Sequence, residues 1–207
     1  RKDFSDFNNK VVFDVQFDKA TIASNDLNYF YNEFGKNNVF YVDTHLIGTL
    51  NNFTTYNLKL VDKNQSEIIG TANFRNLFGK GNQEFYMKGN FDRITSNYED
   101  LKSILPRILG NNLPSVLAKL GNVNIAGDVE LTQKYINADV SMLSQLGYLE
   151  GNLAMQNINN IDNASYQGNI KLDEFDLGTL LSQNDVGKAT LDLDVDGKGF
   201  TQKLLNT

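Results

Sequence analysis

A five-residue phrase, apolar-x-Gly-x-apolar, recurs along this sequence at the spacing of β-strands and their turns. Its copies are Leu46-Gly48-Leu50, Ile68-Gly70-Ala72, Met87-Gly89-Phe91, Ile125-Gly127-Val129, Leu149-Gly151-Leu153, Tyr166-Gly168-Ile170 and, imperfectly, Val195-Gly197-Gly199. Side chains alternate between the two faces of a strand, so each glycine shares a face with its apolar neighbours. Glycine is kept inside strands where a sheet bends or where something approaches the backbone closely. The repeated phrase therefore predicts one sheet curved around something.

Alternation of apolar and polar residues is the dominant pattern, and it is clearest from Ala189 to Val195. It predicts ten strands, over about residues 10–18, 38–50, 55–62, 66–75, 84–93, 122–132, 134–142, 147–157, 163–173 and 187–197. Short turns separate most of the strands, and parallel crossovers need a dozen residues or more. The spacing therefore favours a mainly β fold built from an elongated, mostly antiparallel sheet.

Three short helical phrases interrupt the strands, and they begin at Asp26-Leu27, Asp100-Leu101 and Asp176-Leu177. A period of about 75 residues predicts quasi-repeats at about 26–99 and 100–175, with partial repeats at 1–25 and 176–207. The second phrase extends into a predicted helical hairpin near 98–120, whose apolar stripe must be buried against the sheet. We expect the whole chain to be one continuous internal segment of a longer, repetitive protein.

Composition excludes several classes of function. The formal net charge is −6 and no Lys/Arg cluster is present, so nucleic-acid binding is not expected. The chain has no cysteine and one histidine, which leaves little for a zinc site or a nucleophilic triad. We therefore expect no catalytic residue, no metal and no cofactor, and hence no enzyme.

Two polar motifs have ordinary structural interpretations. The run Asp192-x-Asp194-x-Asp196-Gly197 matches the opening of a calcium loop, but its twelfth position is Lys203 and its alternation favours a strand with a solvated acidic face. His45 has only Asp43 near it in sequence, which favours a surface histidine.

One face of the predicted sheet is polar, and the apolar face needs cover. The sheet could close into a barrel, two sheets could stack, or the face could stay open as a groove for an apolar ligand. The candidate lining consists of the inward apolar residues Val11, Phe13, Val15, Phe17, Leu46, Leu50, Leu58, Leu60, Ile68, Phe74, Phe85, Met87, Phe91, Ile125, Val129, Leu131, Ile136, Val140, Leu149, Leu153, Met155, Tyr166, Ile170, Leu172, Leu191, Leu193 and Val195. The alternative is that the same residues form an ordinary dry core.

The chain from Asn97 to Phe200 resembles the periplasmic TamB family, within the wider AsmA-like family and especially its Bacteroidetes-type members. The similarity rests on Asp100-Leu101, Leu105-Pro106, Leu113-Pro114, Gly127, Leu146-Gly147-Tyr148-Leu149-Glu150-Gly151, Tyr166-Gln167-Gly168, Phe175-Asp176-Leu177-Gly178-Thr179-Leu180-Leu181 and Val195-Asp196-Gly197-Lys198-Gly199-Phe200. Earlier phrases, Ser24-Asn25-Asp26-Leu27-Asn28-Tyr29-Phe30 and Gly48-Thr49-Leu50, are similar to the same family.

The resemblance implies a taco-like β-sheet with a hydrophobic groove that carries phospholipid between the inner and outer membranes. It further implies a periplasmic protein, held in the inner membrane by an anchor outside this segment, that reaches an Omp85-type (TamA-like) outer-membrane partner. An alternative role is an assembly factor that assists insertion of outer-membrane proteins. A plain β-sandwich or barrel binding module is a further alternative.

Overall fold

The computed structural model of the chain describes residues 6–30, 35–78, 84–104, 110, 113–160 and 162–199. The strands are β1 (Phe13–Ala23), β2 (Val39–Thr49), β3 (Asn52–Asp62), β4 (Glu67–Arg75), β5 (Tyr86–Asn97), β6 (Asn122–Thr132), β7 (Tyr135–Ser144), β8 (Gly147–Gln156), β9 (Ser165–Asp176) and β10 (Lys188–Lys198). The helices are α1 (Phe7–Lys10), α2 (Ser24–Phe30), α3 (Tyr98–Ile104), α4 (Leu177–Leu181) and a 3₁₀ helix, Ser115–Leu120. In the described ranges, no helix is long and apolar enough to cross a bilayer.

The ten strands form one sheet in the order of the chain, from β1 to β10. Every neighbouring pair is antiparallel. This confirms the prediction of a mainly β, antiparallel fold. Within the described residues the edge strands β1 and β10 do not pair with each other, so the sheet is open. The ten described strands are neither closed into a barrel nor divided into two stacked sheets.

Helices α2, α3 and α4 follow the odd-numbered strands β1, β5 and β9, so antiparallel order places them all at one end of the sheet. Local caps start two of them. Asn97 Oδ1 accepts a hydrogen bond from the Asp100 amide at 3.0 Å, and Asp176 Oδ1 accepts one from the Thr179 amide at 2.9 Å. Four strands lie between α2 and α3, and four between α3 and α4. This order fits the predicted quasi-repeats, but the repeats themselves stay a prediction.

Bulges interrupt the alternation in four strands. Three of them are marked by a positive φ at Lys19 in β1, Asn57 in β3 and Glu174 in β9, with φ values of 51°, 50° and 47°. The register with neighbouring strands shifts at these points, and it shifts again in β5 between Phe91 and Ile94. Each bulge adds one residue and changes which residue parity faces inward. The strands predicted from alternation therefore end near the bulges of β1, β5 and β9, whereas in the structure each of these strands continues beyond its bulge.

The register aligns the inward residues of all ten strands in four rows across the sheet, and we call this surface the apolar face. The two middle rows are Val15, Leu46, Thr55, Ala72, Gly89, Val129, Ala138, Leu153, Gly168 and Val195, and Phe17, Thr44, Leu58, Gly70, Phe91, Gly127, Val140, Gly151, Ile170 and Leu193. The outer rows are Phe13, Gly48, Phe53, Phe74, Met87, Leu131, Ile136, Met155, Tyr166 and Gly197, and Ala20, Val42, Leu60, Ile68, Ile94, Ile125, Met142, Leu149, Leu172 and Leu191.

The buried core lies along the apolar face in three clusters. One is centred on Phe85, Met87 and Phe91, a second on Phe40 and Val42 near the helix end. The third joins the sheet to the helices, because side chains of the 3₁₀ helix and α4 pack with buried residues of β6 and β9. Its members include Leu117, Leu120, Val123, Leu172, Phe175, Leu177 and Leu180. The 3₁₀ helix and α4 therefore cover the apolar face at the helix end.

Candidate functional site

The predicted lining residues share one surface. Of the 27, the 24 that lie in strands all occupy the four rows of the apolar face. The other three, Val11, Leu50 and Phe85, lie just outside strands. None of the 27 is fully exposed, and twenty are half-buried rather than buried. The seven buried ones are Leu58, Phe85, Met87, Phe91, Leu131, Met155 and Leu172.

Burial divides the middle rows into two parts. We call β2–β5 the first strand group and β6–β9 the second strand group. In the first group, seven of the eight middle-row residues are buried, namely Thr44, Thr55, Leu58, Gly70, Ala72, Gly89 and Phe91, and Leu46 is half-buried. In the second group all eight are half-buried, namely Gly127, Val129, Ala138, Val140, Gly151, Leu153, Gly168 and Ile170. Only the second group presents its middle rows to solvent.

Two residues of the edge strand β10, Leu193 and Val195, extend this surface in the same rows, and both are half-buried. We call the eight middle-row residues of the second strand group together with Leu193 and Val195 the open patch. Its side chains are aliphatic or absent, because three of the ten residues are glycine. Such a surface offers contact to an apolar partner and no group for acid–base chemistry.

Covers bound the open patch at both ends of the strands. At the helix end, Leu117 of the 3₁₀ helix and Leu180 of α4 pack on the cluster around Phe175. At the opposite end, Ile158 from the β8–β9 turn is 1% exposed and packs with Met155 and its neighbours. The patch is therefore a band across the strands rather than a whole sheet face.

The helical hairpin predicted near 98–120 is described only in part. Its two arms correspond to α3 and the 3₁₀ helix, while residues 105–109 and 111–112 lie outside the described residues. Ile104 and Leu117 pack on the apolar face, as the predicted stripe requires.

The glycines of the recurring phrase are places of close approach. The φ angle of Gly127 is +131°, and a Cβ atom there would lie 2.2 Å from the carbonyl oxygen of Asp139 on β7. A Cβ atom at Gly151 would lie 2.1 Å from the carbonyl oxygen of Asn169. Over Gly89, by contrast, the ring of Phe91 fills the space. These glycines let neighbouring backbones approach and let a ring lie flat on the sheet, which is how glycine serves a bent sheet.

Several inward residues were not in the predicted set. Ala138 and Met142 share the parity of Ile136 and Val140, so alternation alone places them on the same face. Phe53 lies in β3 before the bulge at Asn57. The bulge reverses the alternation of faces, so Phe53 faces inward although its odd position in the sequence differs from the even position of Leu58. The positive φ at Asn57 marks this bulge.

The polar face carries shallow depressions of about 440 to 500 Å³ over β5–β10. The largest of these three is lined by Asp139, Glu150, Asn152, Asn169 and Lys171 among others. The carboxylate of Glu150 lies 3.8 Å from Lys171 Nζ and accepts a hydrogen bond from Tyr148, which raises the pKa of that tyrosine.

The polar motifs take the structures that alternation favours. Asp192, Asp194 and Asp196 lie in strand β10 with exposed side chains, not in a calcium loop. His45 Nε2 lies 2.6 Å from Asp14 Oδ1 on β1, whereas Asp43 accepts a hydrogen bond from the Lys19 amide. In the part of the chain that the structure describes, no group of three or more His, Cys, Asp or Glu side chains could hold a metal ion.

Compared with protein-family models, curated proteins and solved structures, the chain matches none. Any family assignment therefore rests on the resemblance of the sequence alone.

Proposed function

We propose that this chain is a segment of a bridge that carries phospholipid acyl chains on the open patch. The observation that carries the proposal is the burial contrast: all eight middle-row residues of the second strand group are half-exposed, although each is apolar or glycine. An ordinary core would bury these rows, as the first strand group does. Contact with an acyl chain would contribute roughly 25 cal/mol per Å² of apolar surface removed from water.

The shape of the patch suits a chain-like ligand. Its residues are aligned across the strands, so an acyl chain lying along the middle rows would contact β6 to β10 in succession. The outer rows next to it carry larger side chains, such as Ile136, Met155, Met142 and Leu149. A polar head group would stay in water. The contacts are aliphatic and unspecific, which suits transport of many lipids rather than recognition of one.

Curvature of the sheet is part of the proposal. Bulges in β1, β3, β5 and β9 bend strands and increase their local twist. Glycines that lie against the backbone of a neighbouring strand, such as Gly127, relieve the steric crowding that bending a sheet produces. These features support a half-pipe, the taco-like groove of the family that the sequence resembles.

The wider setting follows from the same resemblance. The segment would belong to a periplasmic protein whose anchor lies in the inner membrane, and its partner at the outer membrane would be an Omp85-type protein. Phospholipid would pass between the two membranes along the groove and support biogenesis of the outer membrane.

A second candidate function is supported by the open edges of the sheet. Within the described residues strands β1 and β10 each pair on one side, and the backbone groups of an edge strand can pair with another chain. An assembly factor for outer-membrane proteins would use such edges to pair with unfolded strands. Crosslinks from the edges to unfolded protein, rather than from the open patch to lipid, would favour this function.

Photocrosslinking tests the lipid proposal at one residue. A photoreactive amino acid at Leu153, in the middle of the open patch, is expected to label phospholipid from vesicles of phosphatidylethanolamine and phosphatidylglycerol. The control is the same amino acid at Asn152, which is exposed on the polar face of the same strand. Equal labelling at both positions, or none at Leu153, would contradict the proposal.

A transport assay extends the test. Leu153→Asp together with Leu191→Asp is expected to abolish lipid transfer between donor and acceptor vesicles, because charge on the apolar face opposes acyl binding. Circular dichroism should show that the β-sheet is retained. Unchanged lipid transfer by the folded variant would count decisively against the proposal. As a separate test, native mass spectrometry should detect phospholipid that co-purifies with the wild-type chain.

A further inference from the structure

One aromatic residue lies where the packed middle rows meet the open patch. Phe91 belongs to a middle row on β5 and is 6% exposed. Its register partners are Gly70 on β4, which is buried, and Gly127 on β6, which is half-buried and belongs to the open patch. Along this row, Phe91 is therefore the last buried residue before the open patch begins.

The ring of Phe91 fills both middle rows at β5. A Cβ atom at Gly89, the other middle-row residue of β5, would lie 2.5 Å from the Cζ atom of the ring. Gly89 has Ala72 and Val129 as its register partners. One side chain thus occupies the β5 positions of both rows, because Gly89 has no side chain of its own. An acyl chain that lies along the middle rows from β10 toward β5 would meet this ring.

The middle-row neighbours of the ring on β4 are small, so the ring supplies the bulk at this place. Gly70 lies beside Phe91, and Ala72 lies beside Gly89. Ala72 is 1% exposed and belongs to the same buried cluster as Phe91. Removing or turning the ring would therefore uncover glycine and alanine, which would continue the surface of the open patch onto β4.

We propose that the Phe91 ring is a barrier on the apolar face. It holds an acyl chain on the open patch, and it must turn aside before the chain can pass onto the first strand group. Neighbouring strands lie about 4.8 Å apart, so β6 to β10 span about 19 Å, whereas a hydrocarbon core of about 30 Å gives each leaflet about 15 Å of acyl chain. One acyl chain therefore fits in full on the β10 side of the ring. This inference rests on the proposed function and adds the residue that decides how far along the apolar face a lipid reaches.

The test maps where the end of an acyl chain lies. A phosphatidylethanolamine with a diazirine at its last acyl carbon is placed in vesicles of phosphatidylethanolamine and phosphatidylglycerol, and mass spectrometry identifies the labelled peptides. In wild type we expect labels on β5 to β10, while β2 to β4 stay at background. In Phe91→Ala the labels should extend to β3 and β4, where Thr55 and Ala72 continue the middle rows.

Two further variants complete the test, and circular dichroism checks that each keeps its β-sheet. Phe91→Leu keeps an apolar side chain in the core without the ring, so it should extend the labelling even where Phe91→Ala fails to fold. Leu58→Ala is the matched control, because Leu58 is also a buried middle-row residue of the first strand group, 6% exposed, but lies beyond the ring on β3. It should leave the labelling as in wild type.

The outcomes separate this inference from the proposed function. Labels on β2 to β4 in wild type, no extension in the folded Phe91→Leu variant, or the same extension in Leu58→Ala would overturn the barrier, while labels on β8 would still support lipid binding. No label on any strand would overturn the proposed function and the barrier with it.

Discussion

The first and second strand groups have the same plan, four antiparallel strands after a helix, but they use their apolar faces differently. The middle rows of the first group are packed, with Phe91 6% and Ala72 1% exposed. The middle rows of the second group contain no buried residue, and β7 has none along its whole length. Similar backbones therefore bury the middle rows in one half of the sheet and leave them half-exposed in the other.

Side-chain size accounts for part of this difference. Inward rings are frequent in the first group, where Phe40, Phe53 and Phe91 are all buried. Phe91 has Gly70 and Gly127 as its register partners, and its ring lies on Gly89. In the second group the middle rows are aliphatic or glycine. Large rings fill space that aliphatic side chains leave open, which accounts for the deeper burial of the middle rows in the first group.

Truncating a leucine in each group should give the largest contrast. Leu58→Ala in β3 removes a buried side chain, 6% exposed, and should lower the free energy of unfolding by about 2–5 kcal/mol. Leu153→Ala in β8 removes a half-buried one and should cost about 1 kcal/mol, because its outer atoms are already in water. Urea unfolding followed by circular dichroism measures both. Equal losses would mean that the open patch is part of a core.

A glycine of the open patch should be the next most sensitive position. Gly127→Ala places a Cβ atom against the β7 backbone at a φ of +131°, which should cost about 1–3 kcal/mol. Gly187→Ala is the control, because a Cβ atom there meets nothing within 4 Å. If the glycine serves only backbone approach, folded Gly127→Ala should bind lipid as wild type does. Lost lipid binding with unchanged stability would instead show that the glycine leaves room for the ligand.

Local signals explain what could be predicted from the sequence. Alternation and turn residues are read within a few positions, so all ten strands and the starts of three helices were predictable. The bulges were not, because a positive φ at Asn57 or Glu174 has no clear signature in non-glycine residues. Burial was not predictable either, because it depends on which distant segments cover each row. Alternation thus placed Leu58 and Leu153 on one face but could not distinguish the packed one from the open one.

The stability that the polar faces of the two groups contribute should change at opposite ends of the pH range. In the second group, Tyr135 donates a hydrogen bond to Glu130 at 2.7 Å, and this bond, followed by burial, raises the pKa of Tyr135 to about 12. A raised pKa stabilises the fold fully below pH 10, and the contribution is lost as the pH rises toward 12. The stability advantage of wild type over Tyr135→Phe should therefore decrease over that interval.

The control for this titration removes the acceptor. In a Glu130→Gln background, the same Tyr135→Phe comparison should show a much weaker dependence between pH 10 and 12. Chemical denaturation at each pH measures the four stabilities. A pH dependence that persists without Glu130 would assign the effect to burial of the ring instead.

The first group should show the smallest effect, at acid pH. Glu67 on β4 pairs with Arg93 at 2.5 Å and Lys59 at 3.4 Å, and the hydrogen bond from Arg93 is the main cause of its lowered pKa. A lowered pKa contributes stability above the ordinary value of 4.5, and this is lost as the pH falls through the folded value. The advantage of wild type over Glu67→Gln should thus be below about 1 kcal/mol at pH 7, shrink in high salt and disappear at acid pH. Glu150→Gln, which removes the 3.8 Å pair with Lys171 in the second group, is the matched comparison. That pair is longer and has one cation rather than two, so its loss should lower the free energy of unfolding by less. An equal or larger loss would mean that ion pairs stabilise the two polar faces equally, despite the contrast on the apolar side.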